Sequence, residues 1–378
     1  MFMLPLAPPI LVLLTGLLSA ALLGFGVYFV AGWFTATLTA TLLIAGLAML
    51  LFSLFGRYLV LLILGGRVGS DEPKFIHSNE TQRIKRPDGT ELHVEFYGPP
   101  TAQPIIFTHG IATSNTDWYY AKRHLADRFR LIMWDVRGLG KSSRAGDGSY
   151  SLEKMAGDLE AVLALADKPA ILVGHSMGGM ITLTFCKIFP QHLGQKVVGL
   201  GLVNTTYINP VNTSTARGFL KVVQKPLLEP LLYLIIGLSP LFWLMSWMSY
   251  FNGTAHIGSR FTSFVGKQTR GQLEFMTVCQ PLCSPGVLAR QMLAMFRHDT
   301  TATLEQIKVP TLIVAADNDR GCIPEASEYM HQHIANSELV TLAPSGHVSI
   351  FEQNEHFTEA MANFSLKVSQ EQRQGQIA

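Results

Sequence analysis

Ser176 lies in the stretch ILVGHSMGGM, residues 171–180, where an apolar run gives way to a helix-like one. A serine between Gly174 and Gly178 at such a junction has the form of a strand–turn–helix elbow. The turn must be tight so that the hydroxyl stands clear of a sheet, and side chains at Gly174 or Gly178 would crowd it. The helix expected from Met177 would aim its positive N-terminal end at the site and favour developing negative charge. A serine hydroxyl is a weak nucleophile until a base takes its proton, and histidine is the base that titrates near neutrality. His347, in APSGHVSIFEQ, follows the last strand-like run, and Gly346 before it allows a loop that brings the ring to the serine. The histidine in turn needs a carboxylate to hold its tautomer and stabilise its cation. Asp319, in TLIVAADNDRGCIP, lies beyond another strand-like run, with Asp317 two residues earlier as the competing candidate. The expected catalytic set is Ser176, Asp319 and His347 in that chain order. His175 is expected to pack, facing away from the serine.

Short apolar runs alternate with helix-like ones through most of the chain, which predicts the elements that must position these residues. Strands are expected over residues 92–97, 104–108, 129–134, 170–173, 197–203, 311–315 and 338–342, and helices over 151–166, 177–189, 324–334 and 355–364. Short, continuously apolar strands interleaved with helices imply a mostly parallel sheet covered on both faces, an α/β fold. The rhythm breaks between residues 205 and 300, an insertion rich in Leu, Trp, Phe and Met.

Residues 80–365 resemble the α/β-hydrolase family, in its serine esterase and lipase-like branch. Four stretches carry the resemblance: THG at Thr108–Gly110 with Trp118 behind it, DVRGLGKSS from Asp135, GHSMGG around Ser176, and SGH at His347 with Glu352 after it. The resemblance implies an oxyanion hole made by the backbone N–H groups of Ile111 and Met177, with His109 and Gly110 shaping the loop that carries Ile111. It implies a helical cap for residues 205–300, dividing a core of 80–204 and 301–365. It implies no metal or organic cofactor. The sequence departs from the family pattern at Ala316-Asp317-Asn318-Asp319, where a glycine often precedes the acid, and the loop to Pro324 is about one residue longer.

The first 66 residues have a different character. No Lys, Arg, Asp or Glu occurs before Arg57. Residues 10–30 are apolar throughout, about the length that crosses a bilayer, with Tyr28, Trp33 and Phe34 where an interfacial aromatic belt would lie. A second apolar run covers residues 38–55, so the two read as a transmembrane helical hairpin. The uncharged start MFMLP does not resemble a cleaved signal peptide. Arg57, Arg67, Lys74, Arg83, Lys85 and Arg86 all follow the second run, which places the catalytic domain on the cytoplasmic side, the inner membrane in a bacterium; an exported domain on a single span is the alternative. The last residues, 366–378, are polar and expected to fray.

Composition sets further bounds. The chain of 378 residues is 48% hydrophobic and 15% charged, with a net charge of +2. It has no basic run of the kind nucleic acid requires. Cys186, Cys279, Cys283 and Cys322 form no zinc or disulfide pattern and read as small buried hydrophobes. Residues 231–251 of the insertion, LLYLIIGLSPLFWLMSWMSYF, are apolar enough to pass for another span. One crossing there would part Ser176 from Asp319 and His347, so two short helices joined near Pro240 are expected. The resulting expectation is a membrane-anchored serine hydrolase that cleaves carboxylic esters through an acyl-enzyme, on lipid-like or small esters of monoacylglycerol or lysophospholipid type. An acyltransferase with the same triad and a ligand-binding receptor that keeps the fold are the alternatives.

Overall fold

The computed structural model describes residues 8–375; residues 1–7 of the expected anchor and 376–378 of the expected tail lie outside them. Two long helices come first, α1 (Pro8–Phe34) and α2 (Ala40–Leu64). They pack on each other as a hairpin, and both are long and apolar enough to cross a membrane.

An eight-stranded sheet follows, built from β1 (Thr81–Lys85), β2 (Glu91–Tyr97), β3 (Pro104–Thr108), β4 (Arg130–Trp134), β5 (Ala170–His175), β6 (Val197–Val203), β7 (Thr311–Ala316) and β8 (Ser337–Leu342). Their order is β1-β2-β4-β3-β5-β6-β7-β8. The β1–β2 and β2–β4 pairs are antiparallel and every other pair is parallel. Strands β3 to β7 are buried along their whole length, which explains their unbroken apolar character: helices cover both faces. On one face lie α4 (Leu152–Leu163) and α5 (Met177–Ile188), and on the other α3 (Tyr119–Leu125) and α15 (Asn354–Arg373).

Strand β1 has no counterpart among the strands expected from sequence. Its residues, TQRIK, are mostly exposed, so no apolar alternation marks them; a polar, charged edge strand protects a sheet against further pairing. The frayed tail is a correction. Helix α15 runs on to Arg373 because Phe357, Met361, Phe364, Ser365 and Val368 form one buried stripe. Phe364 and Val368 lie over Gly199 in the middle of β6. A stripe that continues at helical spacing through a polar segment holds the helix on the sheet.

Between β6 and β7 the chain leaves the sheet and builds the cap: α6 (Arg217–Val223), α7 (Glu229–Gly237), α8 (Ser239–Phe251), α9 (Thr254–Thr262), α10 (Arg270–Leu282) and α11 (Pro285–Met295), with α12 (Thr301–Leu304) leading back. The apolar stretch of residues 231–251 is bent by 97° between Gly237 and Ser239, beside Pro240. Two further helices, α13 (Pro324–His333) and α14 (Ser349–Glu352), flank β8. All four cysteines are buried and free.

The loop after β4, carrying DVRGLGKSS, is anchored by a buried ion cluster. Asp158 on α4 accepts from Arg137 Nε at 2.6 Å and Nη2 at 2.8 Å and from Arg86 Nε at 3.0 Å, and Arg137 also donates to Asp88. Removing one partner of a buried pair strands the other charge. Asp158→Ala is therefore expected to cost about 3–5 kcal/mol. Breaking the exposed Lys154–Asp147 pair by Lys154→Ala should cost no more than about 1 kcal/mol. Unfolding midpoints of the two variants in urea would compare them directly.

Candidate active site

Every candidate residue sits at the carboxyl end of a parallel strand, the edge where open α/β sheets bind ligands. Ser176 follows β5 and takes φ 53°, ψ −119°. That region is unfavourable for a residue with a Cβ, and such strain survives only where the surroundings impose it. Here the surroundings are mostly backbone, with one side-chain hydroxyl. Ser176 N–H donates to Val203 O at 2.9 Å, and Thr205 Oγ donates back to Ser176 O at 2.6 Å. A Cβ on Gly178 would lie 2.1 Å from Thr108 O, and one on Gly174 would lie 2.3 Å from Gly178 O. The two glycines thus let the turn close against β3 and against the start of α5.

Ser176 Oγ donates to His347 Nε2 at 2.9 Å, and His347 Nδ1–H donates to Asp319 Oδ2 at 2.8 Å. The structure brings the three expected residues together in one hydrogen-bonded line. Asp319 is buried, and its other oxygen accepts from the N–H groups of Gly321 (2.8 Å) and Cys322 (2.9 Å). Asp317 is exposed and plays a different part. Its Oδ1 accepts from Ser345 N–H at 2.8 Å, bracing the loop that carries His347. Burial alone would push the His347 imidazole down, but the adjacent Asp319 carboxylate outweighs it and the net shift is upward.

The loop after β3 lies close to the elbow. His109 is fully buried; its Nδ1–H donates to Gly110 O at 2.8 Å and its Nε2 accepts from Val136 N–H at 3.0 Å. Burial lowers its pKa, so the neutral ring serves as a bracket between two loops. A Cβ on Gly110 would lie 3.4 Å from Ser176 Cβ. Ala112, two residues on, takes φ 61°. Among the described residues, the N–H groups of Ile111 and Met177 donate to no protein acceptor.

Three further residues support this arrangement, of which only Asn204 went unnoticed in the sequence. His175 is more than packing: its Nε2–H donates to the backbone carbonyl of His347 at 3.0 Å, and its Nδ1 lies 3.2 Å from the buried Asp117 Oδ2. Asn204, at φ 43°, donates to Asp319 Oδ2 and to Gly346 O and accepts from Ser349 Oγ at 2.7 Å. The available signal was its position, directly after the apolar run that forms β6. Glu352 accepts from Gly346 N–H at 2.8 Å and from Val265 N–H at 3.0 Å, tying the histidine loop to the cap.

A parallel-centred α/β sheet with a serine elbow after one inner strand and a histidine and carboxylate after two later ones defines an α/β-hydrolase. The chain belongs to the Alpha/beta hydrolase family, whose model matches residues 105–360. It is similar to the AB hydrolase superfamily protein YisY of Bacillus subtilis, 30% identical over 286 residues, or 75% of this chain and 98% of that one. Among solved structures it is similar to an esterase from Exiguobacterium antarcticum, with a TM-score of 0.60, 25% identity, and 77% of this chain and 99% of that one covered. A thermophilic esterase from Thermogutta terrifontis has a TM-score of 0.57 and 25% identity, with 76% and 99% covered.

The elbow makes a sharp prediction. Gly178→Ala places a methyl against backbone that cannot yield, and a displacement of about 1 Å costs on the order of 100-fold in rate. Modification of Ser176 by a fluorophosphonate probe should slow by at least that factor. Gly218→Ala, where a Cβ meets open space, should leave the rate unchanged.

Proposed function

We propose that this chain is a membrane-anchored serine hydrolase that cleaves carboxylic esters through an acyl-enzyme, with its catalytic domain on the cytoplasmic side. The observation that carries the chemistry is the unbroken line Ser176–His347–Asp319, with contacts of 2.9 and 2.8 Å. His347 Nε2 takes the Ser176 proton as Oγ attacks the ester carbonyl carbon. The oxyanion formed is held by the N–H groups of Ile111 and Met177, where one such donor is worth roughly 3 kcal/mol. Collapse breaks the ester C–O bond, and the departing alkoxide takes the proton from His347 and leaves as the alcohol. Water then gives a proton to His347 and attacks the acyl carbon. The second collapse returns that proton to Ser176 Oγ and releases the acid. Asp319 keeps His347 in the tautomer whose Nε2 faces the serine and stabilises its cationic form.

The substrates we propose are lipid-like esters of the monoacylglycerol or lysophospholipid type. Two features support this. The hairpin of α1 and α2 lies outside the stretch matched by the family model, and it would hold the site beside acyl chains. The cap exposes Tyr233, Leu234, Leu241, Trp243 and Leu244, a surface suited to a bilayer rather than to water. The run of basic residues after α2 supports the cytoplasmic placement.

Hydrolysis of a p-nitrophenyl ester series by the detergent-solubilised protein tests this reading. Ser176→Ala should abolish turnover, and activity should peak at medium or long acyl chains, since each buried methylene contributes about 0.8 kcal/mol. Activity confined to short chains would remove the lipid reading and leave the esterase. Serine-dependent acyl transfer to an added alcohol without hydrolysis would make the protein an acyltransferase, and tight binding without turnover a receptor.

The pH dependence follows from His347. The base works only when deprotonated, so kcat/KM should fall about tenfold per pH unit below its pKa. Because that pKa is raised above its ordinary 6.5, the fall should begin above pH 6.5. Asp319→Asn removes the interaction that raises it. The midpoint should move to lower pH, and the rate should drop by on the order of 10⁴.

A further inference from the structure

The hairpin and the cap are not separate bodies. Residues 13–19 of α1 and 56–61 of α2 lie against α8 and the elbow between α8 and α9. Gly16 lies against the Met245 side chain, and Gly56 faces Asn252 O. Ser19 Oγ accepts from Asn252 Nδ2 at 2.6 Å and lies 3.2 Å from Ser249 Oγ. The Arg57 guanidinium sits 4.7 Å from the Tyr250 ring centre and 3.9 Å from Glu274 Oε1. From Ser19 to the turn α1 has fifteen further residues, 20–34, and from the turn to Gly56 α2 has residues 40–55.

That length sets a depth. At 1.5 Å per residue, fifteen residues of helix reach about 22 Å, whereas the hydrocarbon of a bilayer is about 30 Å thick. The turn over residues 35–39 is irregular backbone, and lipid-exposed irregular backbone is not tolerated inside hydrocarbon. The turn must therefore reach the far interface. Counting about twenty residues back from it puts the near boundary at Thr15 and Leu59. Ser19, Gly56 and Arg57 lie inside that boundary, and the cap residues that touch them lie inside with them. Tilting the hairpin lengthens the path and sinks the cap further.

We propose that the cap is itself a membrane element: the Met245–Asn252 end of α8 and the elbow into α9 sit within the acyl-chain region of the leaflet nearest the site. The inference rests on the reading of the hairpin as membrane-spanning. The surface fits that partner. Residues 230–259 contain no Asp, Glu, Lys or Arg, and Leu241, Leu244 and Phe251 are exposed. The small polar groups at that depth, Ser19, Ser249, Asn252 and Thr254, bond to one another, and Arg57 is met by Glu274. Arg67 and Arg270, joined by the bond from Arg270 N–H to Arg67 O, fall just outside the boundary, at the level of anionic head groups. Helix α9 spans nine residues, about 13 Å. From its far end Ser263 O accepts from Val348 N–H, next to His347. One short helix thus separates the acyl-chain layer from the histidine loop.

Nitroxide labels on the full chain in phosphatidylcholine vesicles test the depth. Cysteines are introduced singly by Phe251→Cys, Leu244→Cys, Ile44→Cys on the hairpin and Ile188→Cys on the sheet domain; the native cysteines are buried. Relaxation by oxygen, which concentrates in hydrocarbon, is compared with relaxation by a water-soluble nickel chelate. The expected result is an oxygen-favoured label at 251 resembling that at 44, with 244 intermediate and 188 favouring nickel. If 251 and 244 both match 188 while 44 stays in lipid, the cap inference is overturned and the spanning hairpin stands. If 44 also matches 188, the hairpin reading fails and the inference fails with it. Esterase activity enters neither comparison.

Discussion

Ser176 is held at φ 53°, ψ −119°, and much of the surrounding structure serves to keep it there. A strained residue of this kind costs on the order of 1–3 kcal/mol, so its neighbours must leave it no alternative. Strand β6 and the residues just after it clasp it from one side through Val203 and Thr205, and β3 approaches from the other, close enough that only hydrogen fits at Gly178. The strain exposes the hydroxyl at the carboxyl edge of the sheet and leaves the first N–H of α5, that of Met177, without an intrahelical acceptor. A helix start always leaves such donors unsatisfied. Here the elbow places one of them beside the serine.

The histidine is positioned differently, by hydrogen bonds to its loop rather than by strain in its own backbone. Ser345 is held by Asp317, Gly346 by Glu352 and Asn204, and the His347 carbonyl by His175. Each tether originates on a different element: the β7 end, α14, the β6 end and the β5 end. The cap also joins in, because Glu352 accepts from Val265 as well as Gly346. The position of the cap and the position of His347 are therefore connected through one carboxylate.

The same economy links the front of the chain to the cap. Arg57 interrupts an otherwise uncharged helix, and its guanidinium finds the Tyr250 ring and the Glu274 carboxylate, with His256 donating to the other oxygen of Glu274. A cation in such surroundings needs partners of this kind. The hairpin is thus joined to the catalytic unit by specific polar contacts as well as by apolar packing.

The sequence alone carried the serine elbow, the residues that line up with it and most of the sheet. Gly174, Ser176 and Gly178 at a strand end, a histidine after the last strand, and runs such as PIIFT and TLIVAA were readable because each reflects a local rule: a tight turn, or burial on both faces. It also carried the helical hairpin, since two long uncharged apolar runs separated by a few residues read as paired helices. Whatever depends on contacts distant in sequence was open. Asp319 is preferred to Asp317 in the sequence because it lies further beyond the strand end, but the contact itself is tertiary: Asp319 reaches His347 across 28 residues of chain, while Asp317 binds Ser345 N–H. The roles of His175, Asp117 and Asn204 arise only when strand ends meet. Strand β1 and the last turns of α15 lack an apolar signature of their own and take their form from the sheet they rest on. The docking of α8 against both hairpin helices is likewise a tertiary fact: apart from Arg57, the residues involved read locally as generic apolar or small polar ones.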